Sequence, residues 1–193
     1  MARSILVLRC HPAPVGGHFC DALVEAYQSG AASAGHRVDS LDLAVLDIPF
    51  LRTAEAWKAA SPSADIRLAQ AKMAVADHLV FIYPLWLGDM PALLKAFLEQ
   101  VACEGFVMSV DDKGHWQQGL KGKSARIIVT MGMPALIYRF YFFSHSLRSF
   151  KRNILGFAGV SPVSTTVIGS VDKSAGHRKG WIASVRSLGE QGK

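Results

Sequence analysis

The sequence predicts an α/β fold, a three-layer sandwich in which helices cover both faces of a five-stranded, doubly wound parallel sheet. Three observations carry this expectation. Short, continuously apolar runs at residues 4–8, 78–83 and 125–130 are closed by polar or proline-containing turns, the form strands take when a parallel sheet is buried on both faces. Segments with helical spacing of apolar residues lie between such runs, so strands and helices alternate from one end to the other. No Pro/Gly/Ser-rich linker or internal repeat interrupts the alternation, which predicts a single domain over residues 1–193.

Taken in order, residues 4–8 form the first strand, which ends at Arg9-Cys10-His11-Pro12. Phe19, Ala22, Leu23, Ala26 and Tyr27 then share one helical face, and Gly35 supplies the stop signal for that first helix. Residues 37–43 alternate Val38, Leu41 and Leu43 with polar neighbours, a second strand, and a long loop through Ile48-Pro49-Phe50 follows. A second helix is expected at 64–76. The third strand, 78–83, stops at Pro84, which has no N–H to give a ladder. Pro91 suits the first turn of a third helix whose wide stripe is Leu93, Leu94, Phe97, Leu98 and Val101. Residues 125–130 are the fourth strand, 144–155 a helix and 163–168 the fifth strand. Trp181, Val185 and Leu188 mark a last helix.

Composition narrows the function classes. The chain has 193 residues, 50% of them apolar and 19% charged, with a mean hydropathy of +0.23. That is enough apolar surface to offset chain entropy, which excludes disorder as the main state. The longest uncharged apolar stretches, 79–88 and 127–138, fall short of the roughly 18 residues a spanning helix needs. The apolar patch at 5–8 is too short for a signal peptide core, so a cytoplasmic location is expected. Cys10, Cys20 and Cys103 contain no C-x-x-C pair, which favours packed thiols in a reducing compartment. Charge is uneven: residues 1–120 carry 9 Lys+Arg against 13 Asp+Glu, and residues 121–193 carry 12 against 2. The basic half suits a phosphate-bearing cofactor, an anionic surface or an acidic subunit face.

In a doubly wound sheet, ligands sit beyond the carboxyl ends of the strands where the strand order reverses. The loops after strands one, three and four are therefore the place to look. The first loop, His11-Pro12-Ala13-Pro14-Val15-Gly16-Gly17-His18, opens directly into a helix N-terminus, where free amides favour an anion. It is neither a P-loop nor a G-x-G-x-x-G fingerprint. Cys10, His11, His18 and Cys20 lack the spacing of zinc finger or ribbon ligands, so no metal is expected. The second loop, Pro84-Leu85-Trp86-Leu87-Gly88-Asp89-Met90-Pro91, sets a flat apolar wall just past a buried strand, suited to a planar heterocycle.

Several of these motifs together resemble the flavodoxin-like NAD(P)H:quinone oxidoreductases and their modulator-of-drug-activity and potassium-efflux ancillary relatives. His11-Pro12 followed by Phe19-Cys20-Asp21-Ala22-Leu23 is similar to the family's H-P-x-x-x-S-F-x-x-A-L. Tyr83-Pro84-Leu85-Trp86 with Met90-Pro91-Ala92-Leu93-Leu94-Lys95 is similar to P-x-W-W-x-x-x-P-A-x-L-K. Gly35-His36-Arg37-Val38, Asp42-Leu43, residues 76–81, and Leu120-Lys121-Gly122-Lys123 with Val129-Thr130 extend the likeness over most of the chain. The resemblance implies strand order 2-1-3-4-5, a bound flavin (FMN or FAD), NAD(P)H as hydride donor, a quinone-like acceptor and a homodimer. It implies that His11, Phe19 and Cys20 meet the flavin phosphate and ribityl chain. Pro84, Leu85, Trp86, Leu87 and Gly88 would line the ring, with Thr130, Met131 and Gly132 at its other edge. Tyr138 and His145 would steady the negative charge of the reduced ring.

The chain departs from the family pattern in three places. The loop before Phe19 is longer and has Gly17-His18 where the family has a hydroxyl residue, a role His18 can fill through a ring N–H. Leu87 replaces the second Trp, and the glycine turn reads Thr130-Met131-Gly132-Met133-Pro134. These departures keep open an alternative: a regulatory or binding module of the transporter-ancillary type. The aromatic, basic stretch 138–152 also reads as a membrane-surface segment, although an active-site or dimer cover explains it and is preferred. No nucleic-acid signature accompanies the basic residues.

Overall fold

The computed structural model describes residues 2–59 and 62–193. In chain order its elements are β1 (Ser4–Arg9), α1 (Phe19–Ser33), β2 (Arg37–Asp42), α2 (Ala54–Ala59), α3 (Ala64–Val75), β3 (His78–Pro84), α4 (Ala92–Val101), β4 (Met108–Val110), β5 (Trp116–Gln118), β6 (Ser124–Thr130), α5 (Ala135–Phe140), α6 (His145–Ser149), a π-helical turn (Phe150–Gly156), β7 (Val163–Ile168) and α7 (Ala175–Glu190). Five parallel strands form one sheet in the order β2-β1-β3-β6-β7, and β4 and β5 make a separate antiparallel hairpin. Counting the parallel strands alone, this is the expected 2-1-3-4-5 order of a flavodoxin-like sheet.

Alternation along each strand divides the core into two layers. On one face Ile5, Val7, Val80, Ile82, Ile128 and Ile168 pack beneath Leu23 and Tyr27 of α1 and Val185 of α7. On the other, Leu6, Leu8, Phe81, Ile127 and Val129 pack beneath α3, α4 and the 145–156 segment. β3 is buried at every residue before Pro84. Each such Val, Leu, Ile or Phe contributes about 1.5–3 kcal/mol on burial, so the central strand is the most firmly held part of the sheet. Capping fixes where the helices begin: Ser63 Oγ accepts the Ile66 N–H at α3, and Ser174 Oγ the His177 N–H at α7.

The structure also holds elements the sequence pattern did not reveal. α2 lies inside the long loop after β2, α5 lies in the third loop, and the β4–β5 hairpin separates α4 from β6. The helix expected at 144–155 divides into α6 and the π-helical turn. It is set off by Phe143 and Ser144, whose φ values of +50° and +51° are left-handed. Among the described residues, no helix is long and apolar enough to cross a membrane.

Candidate functional site

The sheet register brings the three loops to one rim. Arg9 pairs with Ile82, and Pro84 pairs with Thr130, so β1, β3 and β6 end side by side. Backbone bonds continue the alignment past the strand ends: the Cys10 N–H donates to Ile82 O (2.9 Å), Leu85 N–H to Thr130 O (2.7 Å) and Met131 N–H to Ile168 O (2.9 Å).

A buried ion-pair network shapes the first loop. Arg9, at the end of β1, donates from Nε to Asp21 Oδ1 (2.7 Å) and from Nη1 to Asp42 Oδ1 (2.9 Å), and Nη1 also reaches His11 O (3.2 Å). Its Nη2 is buried with no hydrogen-bond partner among the described residues. Asp21 Oδ2 in turn accepts the N–H groups of Gly16 (3.2 Å) and His18 (2.9 Å). Burial pushes the Asp21 carboxyl up, but its bonds from Arg9, Gly16 and His18 outweigh that and hold it below the usual carboxylate range. Asp21 is thus both the third residue of α1 and the clamp that folds the loop onto it. Motifs in the sequence do not by themselves reveal this network. Its signal was an Arg ending a buried strand, which needs acidic partners, with an acid at the third position of the next helix.

His11 and His18 stack with ring centroids 4.1 Å apart, and His11 meets Trp86 of the second loop edge-on at 5.9 Å. His11 is buried, and its Nδ1 lies 3.1 Å from Ala13 N and 3.4 Å from Ala13 O. Desolvation, and then His18, lower its pKa, so the neutral ring is the form at pH 7. Trp86 stands half-exposed in a tight turn. Its N–H and C=O each bond Asp89 at 2.9 Å, and the two central residues, Leu87 and Gly88, have φ +47° and +80°. Such a turn requires positive φ at both positions. Gly88 adopts it freely, while Leu87 is strained there with its side chain fully in solvent.

Cys20 joins α1 to the third loop, its Sγ lying 3.5 Å from Thr130 Oγ1. Burial raises the Cys20 thiol to about 11 and raises Cys10 as well, so both are protonated at neutral pH. Phe19 packs partly buried against the α1 side of the sheet. Met131 is buried and Gly132 exposed at the turn. Gly169 supports that turn from beyond β7, since a Cβ there would lie 2.3 Å from Ala135 N. Tyr138 is placed inside the core, where its hydroxyl bonds Ser146 Oγ (2.8 Å) and accepts the Leu147 N–H (3.2 Å). His145 is exposed, with its ring 5.9 Å from that of Phe143. The structure therefore gathers His11, His18 and Trp86 in one contact group and Cys20 with Thr130 in another, and it sets Tyr138 apart from both.

These residues fit a flavin. The first amides of α1, those of Phe19 and Cys20, and the His11–His18 pair form a donor set for a phosphate, and the exposed Trp86 turn offers a ring-sized apolar face beside it. A separate apolar cavity of about 830 Å³ lies at the opposite rim. Val101 ends α4 there, Leu120 and Ala158 precede β6 and β7, and Trp57 and Trp116 flank it.

Comparison with known proteins agrees with this architecture. A family model described as "Flavodoxin-like fold" matches residues 3–187. Human ribosyldihydronicotinamide dehydrogenase [quinone] is 37% identical over 89 residues, covering 46% of this chain and 38% of the human protein. The glutathione-regulated potassium-efflux system ancillary protein KefG of Escherichia coli strain 536 is 35% identical over 92 residues, 45% of this chain and 48% of that protein. The chain thus spans less than half the length of either curated relative. An NAD(P)H:quinone oxidoreductase from Methanothermobacter marburgensis superposes over 100% of both chains with a TM-score of 0.82 at 23% identity, a likeness of fold. With a family match that runs through nearly every element of the sheet and its helices, the chain belongs to the flavodoxin-like fold family.

Proposed function

We propose that this protein is a flavin-dependent NAD(P)H dehydrogenase of the quinone-reductase type, moving a hydride from NAD(P)H to a quinone or related electrophile by way of bound FMN or FAD. The observation that carries the reading is the meeting of the stacked His11–His18 pair with the exposed indole of Trp86 at the N-terminus of α1. In this reading His11, His18, Phe19 and Cys20 hold the phosphate and ribityl chain. Pro84, Leu85, Trp86, Leu87 and Gly88 line the ring, and Thr130, Met131 and Gly132 border its far edge. The isoalloxazine supplies the two-electron redox chemistry when bound, while the chain's residues supply position and a fixed electrostatic setting. His145, exposed at the start of α6, is proposed to steady negative charge on the ring. Tyr138, its hydroxyl taken up by Ser146 and Leu147, is a positioning residue for α6. The exposed Trp57 and Trp116 support a homodimer.

One observation favours the second reading, a transporter-ancillary binding module. The carboxylate of Asp21 already takes the amides of Gly16 and His18, which a phosphate could otherwise use. Titration of the purified protein with FMN and with FAD, followed by anaerobic NAD(P)H, separates the two. The enzyme reading expects tight uptake of one flavin and bleaching of its visible bands by NAD(P)H. Absence of flavin uptake at excess ligand would favour the binding module.

A further inference from the structure

We propose that the basic groove between the π-helical turn and the start of β7 binds a diphosphate group, free or carried by a nucleoside. Arg148 of α6 and Lys151 and Arg152 of the π-helical turn line it, and its volume is about 520 Å³, within the range of about 300–1,000 Å³ that small ligands occupy. Val160 and Val163, both buried, give it an apolar floor. One end is fixed by Gln118 of β5, whose Nε2 donates to the carbonyls of Gly156 (3.3 Å) and Phe157 (3.0 Å). The groove lies where β7 begins, at the rim away from the three loops that follow β1, β3 and β6.

The three cations are spaced i, i+3 and i+4, which sets like charges side by side on one helical face, where they repel. All three side chains are exposed, and among the described residues none of them makes an ion pair. Not one Asp or Glu occurs between Lys113 and Val171, the stretch that supplies every residue lining the groove. A fold that carries such repulsion with nothing to offset it marks a site whose partner is an anion. Lys151 and Arg152 also sit in a π-helical turn, a rare conformation that concentrates at functional sites. The number and type of the cations select the anion. Arg148 and Arg152, one turn apart, present two planar forks, each matched to a phosphoryl group by paired hydrogen bonds, and Lys151 adds a point charge beside them. A diphosphate places one phosphoryl group at each fork and carries enough charge to meet all three cations, whereas a lone phosphate leaves one fork unmet.

The proposal does not rest on the flavin reading, and its test needs no cofactor. Isothermal titration calorimetry of the full chain with pyrophosphate, ADP and orthophosphate measures it at low and high salt. Pyrophosphate and ADP should bind about tenfold more tightly than orthophosphate, with affinity falling as salt rises. Tighter binding of ADP than of pyrophosphate would place the nucleoside on the valine floor, and equal binding would assign the affinity to the diphosphate alone. R148Q and R152Q should each weaken pyrophosphate by about tenfold. R148K/R152K, which keeps the charge and loses the forks, should weaken it too. R148Q/K151Q/R152Q should abolish pyrophosphate binding without lowering the melting temperature, because the three side chains are exposed and their mutual repulsion is removed. FMN uptake by that triple variant, measured separately, should match wild type, so failure of one reading is distinguished from failure of the other. Three outcomes would overturn the proposal: no uptake of pyrophosphate or ADP at millimolar ligand, full pyrophosphate binding by the triple variant, or orthophosphate bound as tightly as pyrophosphate.

Discussion

Replacing Asp21 with Ala is the sharpest test of how the first loop is held. The substitution removes one partner of a pair in which Arg9 is 95% buried and Asp21 86% buried by side-chain area, at an N–O distance of 2.7 Å. Breaking a buried pair from one side costs about 3–5 kcal/mol, because the remaining charge loses its compensation. Asp42 still holds Arg9 Nη1 at 2.9 Å, which places the cost near the lower end, about 3 kcal/mol. For a chain of this length that lowers the melting temperature by about 6–12 °C. The pH dependence has a definite sign. The folded carboxyl titrates below its unfolded value, so the stability it contributes is present above the unfolded pKa and is lost as pH falls through the folded one. The gap between wild type and variant, measured by calorimetry, should therefore be full at pH 7 and close from about pH 4 downward. A variant that melts within about 2 °C of wild type at pH 7, against the expected drop, would refute the clamp. So would a gap that persists unchanged in acid.

Three further outcomes follow from the geometry. Trp86→Ala should weaken flavin binding by about tenfold, the loss of one aromatic contact, while leaving the melting temperature near wild type because the indole is half-exposed; equilibrium fluorescence titration and a thermal melt check both parts. Tyr138→Phe removes a hydroxyl that serves Ser146 and Leu147 inside the core. It should cost about 1–3 kcal/mol of stability and leave the pH profile of NAD(P)H oxidation in place, whereas a changed profile at unchanged stability would return Tyr138 to a catalytic role. Cys10 and Cys20, buried and protonated, should resist alkylation at neutral pH in the native protein and react on unfolding, as peptide mass mapping would show.

The sheet was legible because β3 and β6 are buried on both faces, so that residues 79–82 and 127–129 are unbroken apolar runs. Their alternation with helical stripes then constrained the topology. α2, α5 and the β4–β5 hairpin were not legible for the opposite reason: elements of six or three residues are too short for a period of 3.6 or 2 to register. α1 ends at Ser33, just before the Gly35 read as its stop, whose φ is +80°. At the site, each loop could be named from its motif, but the contact between His11 and Trp86 could not. It depends on β1 and β3 lying side by side in a register that only the folded sheet defines. Tyr138 and His145 rest on the family resemblance alone, as a Tyr and a His shortly after the glycine turn. The structure turns α5 so that this tyrosine faces the core and Phe140 faces solvent.

The measurement closest to the central claim is a crystal structure of the protein grown with FMN. The isoalloxazine is expected against Trp86 and Leu87, with the phosphate at the N-terminus of α1 within hydrogen-bond reach of His18. Density for the cofactor elsewhere, or a rim closed by its own side chains under saturating FMN, would contradict it.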